Sequence, residues 1–144
     1  MKAAQICSKA LMGFALGGGV ATASADEENR ADTVITPLLE QPLPMRESAV
    51  ASMVTVEYAP GASTPPHTHP ADTFVYVLQG AIEMQVAGGE LKLLKQGDTC
   101  YEKPSDRHVV SRNASTTERA KFLVMFVKDK GAQLLVPDAT SATP

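Results

Sequence analysis

Residues 61–80 read GASTPPHTHPADTFVYVLQG, and this stretch decides the fold that the sequence predicts. Its proline-rich first half carries His67 and His69, which are separated by one residue. In an extended segment, residues i and i+2 point to the same side, so the two imidazoles can approach one metal ion. The second half, from Thr73 to Gln79, is rich in β-branched and aromatic residues and is followed by a glycine, which predicts a β-strand and then a turn.

A second stretch, residues 97–113 (GDTCYEKPSDRHVVSRN), carries the remaining histidine of the chain, His108. It follows a proline-containing turn, at the predicted start of a strand. Antiparallel neighbours in a barrel can bring His108 to the same interior as His67 and His69. A lone histidine is more often a surface or hydrogen-bonded residue, and two histidines one residue apart are a modest signal by themselves. The metal-site hypothesis therefore depends on the glycine-bounded stretches that contain the histidines.

The chain after residue 32 divides into short β-type runs separated by turn residues. Residues 81–86 (AIEMQV) alternate apolar and polar side chains with a period of two. Many short strands at regular spacing indicate a β-sandwich or β-barrel, so we predict an all-β fold with one domain. The predicted strands are Thr33–Leu39, Met53–Ala59, Thr73–Gln79, Ala81–Val86, Leu91–Leu94, Thr99–Glu102, Arg107–Arg112, Lys121–Val127 and Gln133–Val136.

Residues 61–80 resemble the first motif of the cupin superfamily, and residues 97–113 resemble its second. Residues 120–137 (AKFLVMFVKDKGAQLLVP) resemble the closing strands of small bacterial single-domain cupins, so the likeness covers Val34 to Pro137. The resemblance implies a cupin-type jelly-roll β-barrel over residues 33–137. It also implies a divalent metal ion inside the barrel (Fe2+, Mn2+ or Zn2+), a small-molecule ligand or substrate, and a homodimer.

Carried over position by position, the resemblance assigns His67 and His69 as the first two metal ligands and His108 as the last. The family's carboxylate ligand falls at Thr73, which has no carboxylate to offer. Asp72 is adjacent, but a one-residue shift on a strand turns the side chain to the opposite face, so Asp72 can serve only if residues 70–72 are irregular. We therefore expect three histidine ligands and open positions, which suit Lewis-acid chemistry or iron that binds dioxygen and should hold manganese less firmly.

Other side chains near the two stretches are candidates for the cavity wall. Thr73, Gln85 and Tyr101 can line a cavity, although Gln85, like Glu83, is more typical of the solvated side of an alternating strand. Tyr101 can offer a phenol to a bound ligand. Glu102 lies in the second stretch, and the sequence alone does not orient it. No residue is assigned as a catalytic acid or base.

Residues 1–25 have the three parts of a secretory signal peptide: a basic start, a short apolar run (ALMGFALGGGV, residues 10–20) and a final Ala-Ser-Ala. The apolar run is far shorter than the ~20 residues that cross a bilayer as a helix. We expect cleavage after Ala25, export to the periplasm or out of the cell, and no membrane association afterwards. Residues 26–32 are interpreted as a solvated linker and residues 138–144 as a disordered tail.

The charge balance excludes one class of partner. Of 13 basic and 16 acidic residues, cleavage removes Lys2 and Lys9, which leaves 11 basic against 16 acidic residues and a net charge of −5. Nucleic-acid recognition normally needs a basic face, so no nucleic acid is expected. Three functions stay open: a metal-dependent enzyme of oxygenase, isomerase or lyase type, a non-catalytic small-molecule or metal-binding module, and a cupin with a vestigial site. Fold alone does not decide among them.

Overall fold

The structure is a computed structural model that describes residues 33–139. The predicted signal peptide and linker, and residues 140–144 of the predicted tail, lie outside the described residues. No helix within residues 33–139 is long and apolar enough to cross a membrane. The described residues form the strands β1 (Thr33–Pro42), β2 (Ala49–Tyr58), β3 (His67–Thr68), β4 (Ala71–Gln79), β5 (Ala81–Val86), β6 (Lys92–Lys95), β7 (Thr99–Glu102), β8 (Arg107–Asn113), β9 (Ala120–Asp129) and β10 (Val136–Pro137).

These strands form two five-stranded antiparallel sheets. The first has the order β1-β2-β9-β4-β7 and the second the order β10-β3-β8-β5-β6. Several neighbouring strands come from distant parts of the chain, as when β2 pairs with β9 and β3 pairs with β8. The all-β prediction is confirmed, and two antiparallel sheets with these crossovers are consistent with the predicted jelly roll.

An apolar core contains buried residues of both sheets. Phe122, Val124 and Phe126, which alternate along β9, contribute to it from the first sheet. Ile82 and Met84 of β5 contribute from the second, whereas the glutamate and glutamine that alternate with them are only half-buried. The side-chain period of two therefore gives these strands a core side and an outer side.

Strand limits predicted from the sequence agree with the structure best where turn residues bound the strand on both sides. The limits of β5 and β7 are confirmed to the residue. The short strand β3 was not predicted, because it exists through pairing of His67 and Thr68 with β8 and not through its own composition. The last strand begins at Val136, whereas the sequence indicated a strand over residues 133–136.

The segment after β9 folds back onto the second sheet. Strand β10 pairs with β3, and Pro137 lies opposite His67. Asp138, which the sequence prediction placed in the tail, donates its backbone N–H to the carbonyl of Pro66 at 3.0 Å. Its carboxylate accepts a hydrogen bond from Nε of Arg107 at 2.6 Å. The C-terminal segment is therefore attached beside the strand that carries the first predicted metal ligand.

Glycine is required in the turn before β5, where Gly80 has a φ of +71°. A Cβ at this position would lie 2.6 Å from the carbonyl oxygen of Arg119, whereas at Gly61, with a φ of +74°, it would meet no atom within 4 Å. Gly61→Ala should therefore lower the free energy of unfolding by about 1 kcal/mol, the cost of the left-handed backbone alone. Gly80→Ala should lower it by about 2 kcal/mol because the backbone must also shift. Chemical denaturation measures both values, and equal losses would contradict this account.

Candidate metal centre

The three histidines meet inside the barrel. His67 of β3 lies directly opposite His108 of β8 in the strand register, and His69 follows β3 by one residue. Their exposed fractions are 4%, 2% and 9% for His67, His108 and His69, respectively. The ring centroids are 4.8 Å apart for His67 and His69, 5.0 Å for His67 and His108, and 5.3 Å for His69 and His108. The structure thus brings together the three residues that the sequence proposed as ligands.

A carboxylate joins the histidines, and it comes from a residue that the sequence did not orient. Glu102 is 2% exposed, and its Oε2 lies 3.3 Å from Nε2 of His108 and 3.9 Å from Nε2 of His69. One ligand atom from each of these three residues lies within 4.8 Å of the others. The structure therefore places a carboxylate in the histidine cluster, where the sequence analysis expected open positions.

Strand pairing explains how Glu102 reaches the site. Strand β7 pairs with β4, and Glu102 lies directly opposite Thr73, the position of the expected carboxylate. Residues directly opposite each other in an antiparallel pair point to the same face, with Cβ atoms about 5 Å apart. Thr73 is fully buried, and its hydroxyl donates to the carbonyl of Ala71 at 3.4 Å. The Glu102 carboxylate thus reaches the space beside Thr73 from β7 and not from β4.

Asp72 does not take part in this cluster. Strand β4 is already regular at Ala71, so Asp72 points away from the face that Thr73 occupies. Its Oδ1 accepts a hydrogen bond from the phenol of Tyr101 at 2.6 Å. The Tyr101 side chain is half exposed, so this pair lies on the outer side of the first sheet.

Backbone carbonyls fix the orientation of two imidazoles. Nδ1–H of His67 donates to the carbonyl of Pro65 at 2.7 Å, and Nδ1–H of His69 donates to the carbonyl of Leu134 at 2.5 Å. Each ring therefore keeps its Nε2 lone pair for another partner. Burial, the largest cause, lowers the pKa of His67 to about 4 and also lowers the pKa of His69. Both rings are therefore neutral near pH 7, as metal ligation requires.

The donor set fits a divalent metal ion. Both side-chain oxygens of Glu102 and both ring nitrogens of His108 are buried without a hydrogen-bond partner among residues 33–139. A buried carboxylate that accepts no hydrogen bond costs several kcal/mol, and a coordinated cation removes that cost. Ligand atoms about 2.1 Å from one ion lie roughly 3.0–4.2 Å from each other, a range that covers the two distances from Glu102 to the histidines but not the full 4.8 Å limit of the cluster, so the side chains must draw closer around an ion. Ligation by His67 stays a prediction.

Two cavities adjoin the cluster, and both include Met84 and Glu102 in their walls. The inner one has a volume of about 70 Å³, and its wall is mostly apolar. The other, of about 150 Å³, contains Gln85 and Tyr101, two of the predicted cavity-lining residues. Thr73 lines neither of these two cavities. The wall of the inner cavity consists of Ile35, Val54, Val56, Tyr58, Thr64, His67, His69, Val75, Met84, Glu102, Ser111, Phe122, Val124, Phe126, Leu134 and Leu135.

Sequence relatives match part of the chain. It is 38% identical over 63 residues to Germin-like protein 5-1 of Oryza sativa subsp. japonica, which covers 43% of this chain and 28% of that protein. It is 32% identical over 75 residues to Oryzines biosynthesis cluster protein J of Aspergillus oryzae, which covers 52% of this chain and 41% of that protein. The chain therefore spans less than half of the length of these curated relatives.

Solved structures share the fold at low sequence identity. DMSP lyase DddQ from Ruegeria pomeroyi DSS-3 superposes with a TM-score of 0.63 at 19% identity, over 85% of this chain and 58% of that one. KdgF from Halomonas sp. superposes with a TM-score of 0.56 at 22% identity, over 69% of this chain and 82% of that one. The family model for the cupin domain matches residues 54–126, which include the three histidines and Glu102. This match spans about half of the residues of the chain, and the chain therefore belongs to the cupin family.

Proposed function

We propose that this chain is an exported, metal-dependent cupin enzyme that acts on a small organic molecule, with His67, His69, His108 and Glu102 holding one divalent ion. The observation that carries the proposal is the Glu102 carboxylate, which is buried among imidazoles and has no hydrogen-bond partner among the described residues. Retaining such a group in a core is unfavourable unless a cation binds it. The vestigial alternative is disfavoured for the same reason.

The chain's own residues prepare the site for a polar reaction. A bound divalent ion would supply Lewis-acid polarisation of a ligand oxygen. The carbonyls of Pro65 and Leu134 hold two imidazoles in the tautomer that ligates. Glu102 adds one negative charge and an oxygen donor, which favours Mn2+ and Fe2+ more than three histidines alone do. The mostly apolar wall lowers the local dielectric constant, which strengthens electrostatic interactions inside the cavity.

The site is compatible with three reaction classes. Lyase, isomerase and oxygenase chemistry all use an ion that polarises or binds a substrate oxygen, and the likeness to a DMSP lyase supports keeping the first of these. A non-catalytic binding module is the second candidate. The inner cavity of about 70 Å³ is about half of the ~150 Å³ cavity that accommodates benzene, so a substrate or a ligand that enters it must be small.

Metal content tests the proposal directly. The protein purified from its native compartment should hold about one divalent ion per chain, and His108→Ala should hold less than about a tenth of that, because it removes a ligand. His67→Ala should also lose metal, because it too removes a proposed ligand. Elemental analysis gives the values, with Gln85→Ala as a control outside the ligand set. Wild-type protein with no more metal than His108→Ala would refute the metal site.

Catalysis is separated from binding by turnover of the metal-loaded protein. If the native ion is iron, oxygen consumption is measured with small phenols, diketones and thiols, and Glu102→Gln serves as the inactive control. Turnover in the wild type alone supports the enzyme. Saturable binding without turnover supports the binding module.

Export and self-association belong to the same proposal. The N-terminal composition supports cleavage after Ala25, and N-terminal sequencing of the secreted chain should begin at Asp26. A homodimer is supported by Phe74, Tyr76 and Leu78, which lie on the outer side of β4 and are each more than a third exposed. Exposed apolar patches of this kind mark association surfaces, and sedimentation of the purified protein measures the assembly.

A further inference from the structure

Three hydroxyl groups form a cluster in the barrel interior. The phenol oxygen of Tyr58 lies 2.6 Å from Oγ1 of Thr64 and 3.1 Å from Oγ of Ser111. Tyr58 and Ser111 are 2% and 6% exposed. The backbone N–H of Thr64 donates to the carbonyl of Ser111 at 2.9 Å, which holds the loop before β3 against β8. The cluster is therefore a fixed part of the barrel.

The cluster shares the inner cavity with the metal centre. Six residues with polar side chains line this cavity of about 70 Å³: the three hydroxyl residues and His67, His69 and Glu102. The other ten lining residues are apolar. A ligand in this cavity thus meets the metal centre and the hydroxyl cluster, and its remaining surroundings are apolar.

A count of protons shows that the cluster can donate to a ligand. Each hydroxyl carries one proton, so the cluster holds three protons, and the hydrogen bonds within it use two. One O–H therefore stays available for an acceptor whichever way the hydroxyls rotate. Burial raises the pKa of Tyr58 above its ordinary value, so the phenol keeps its proton.

We propose that Tyr58, Thr64 and Ser111 form an oxygen-binding subsite that accepts a hydroxyl or carbonyl group of the ligand. This inference rests on the proposed function, because the other end of the ligand binds at the metal centre. It narrows the ligand to a small bifunctional molecule with one metal-binding group and one separate oxygen, joined by a short apolar part. A subsite built to hydrogen-bond an oxygen discriminates against an analogue that lacks it.

Matched pairs of probes test the subsite on the full chain loaded with Co2+, whose visible absorption bands report ligand binding. The probes are glycolate, 3-hydroxypropionate and 4-hydroxybutyrate, each against the fatty acid with a methyl in place of the terminal hydroxyl. The wild type should bind the best-fitting hydroxy acid about tenfold more tightly than its partner. Tyr58→Phe should lower this ratio to below about threefold, because Thr64 and Ser111 then lose the hydroxyl that both bond and are no longer held in position for the ligand oxygen. Tyr76→Phe, on the outer side of β4, should leave the ratio unchanged.

The outcomes separate this inference from the proposed function. A wild type that takes up no Co2+ refutes both. If the wild type takes up Co2+ but binds each hydroxy acid no more tightly than its fatty-acid partner, the subsite is refuted and the metal centre stands. The same conclusion follows if the affinity ratio is equally high in Tyr58→Phe and Tyr76→Phe. If Tyr58→Phe does not fold, Ser111→Ala is used, and a ratio equal to that of the wild type overturns the proposal.

Discussion

Glu102→Gln is expected to weaken divalent-metal binding by at least about 100-fold, more than is typical when a residue that only orients a ligand is lost. The amide keeps the shape of the side chain but removes the negative charge and the ionised oxygen donor. In the metal-free protein the same substitution should raise the thermal midpoint, because a neutral amide is less costly to bury than a carboxylate that accepts no hydrogen bond. The variant is therefore expected to be more stable than the wild type when both lack metal, and less stable than the wild type when metal is present.

Competition with a chelator and thermal melts with and without metal measure the two effects. The matched control is Glu57→Gln, since Glu57 is a partly exposed carboxylate paired with Lys121 at 2.7 Å on the protein surface. Surface pairs contribute little, so this variant should change neither quantity by much. If both glutamates gave the same loss of metal, Glu102 would not be a ligand.

Exchanging Thr73 and Glu102 across the strand pair should restore the metal affinity that Glu102→Thr loses. Glu102→Thr is expected to lose at least about 100-fold in metal affinity, as Glu102→Gln does. The double variant Thr73→Glu/Glu102→Thr should recover to within about tenfold of the wild type, because cross-strand neighbours share one face at close range. It also keeps the composition of the buried pair, so the volume of the core is conserved.

The control for this exchange places the carboxylate one residue along the strand. Phe74→Glu/Glu102→Thr carries the new acid on the outer side of β4, where Phe74 is 41% exposed. A one-residue shift reverses the face, so this variant should bind metal no better than Glu102→Thr. Affinities are measured by chelator competition after circular dichroism has shown that each variant is folded. A Thr73→Glu/Glu102→Thr variant that stays as weak as Glu102→Thr would refute the geometric argument.

The sequence predicted the all-β class because that information is local. The alternation in residues 81–86 and the glycines that bound it specify a strand and its turns without reference to the rest of the chain. The short strand β3 is different, since its pairing with β8 joins residues about 40 positions apart. No local pattern encodes such a partner, so the strand was missed.

Part of the candidate metal centre could also be predicted from local sequence, and part of it could not. The histidines stand in recognisable surroundings, whereas Glu102 is identified by its register with Thr73, which lies 29 residues earlier. The four residues of β7 alternate, but alternation alone does not say whether Tyr101 or Glu102 faces inward. A signal was present: an inward Glu102 places an acid opposite the position where the family carries one. Using it required the pairing of β4 with β7.

The hydrogen bond from His69 to the carbonyl of Leu134 joins residues 65 positions apart. During synthesis, His69 leaves the ribosome long before Leu134 does, so its ring is oriented only after almost the whole domain has emerged. We therefore expect the centre to be completed only when the segment that carries Leu134 has docked beside His69. For a chain that crosses a membrane unfolded, the ion would be selected from those available at the destination and not from the cytosolic pool.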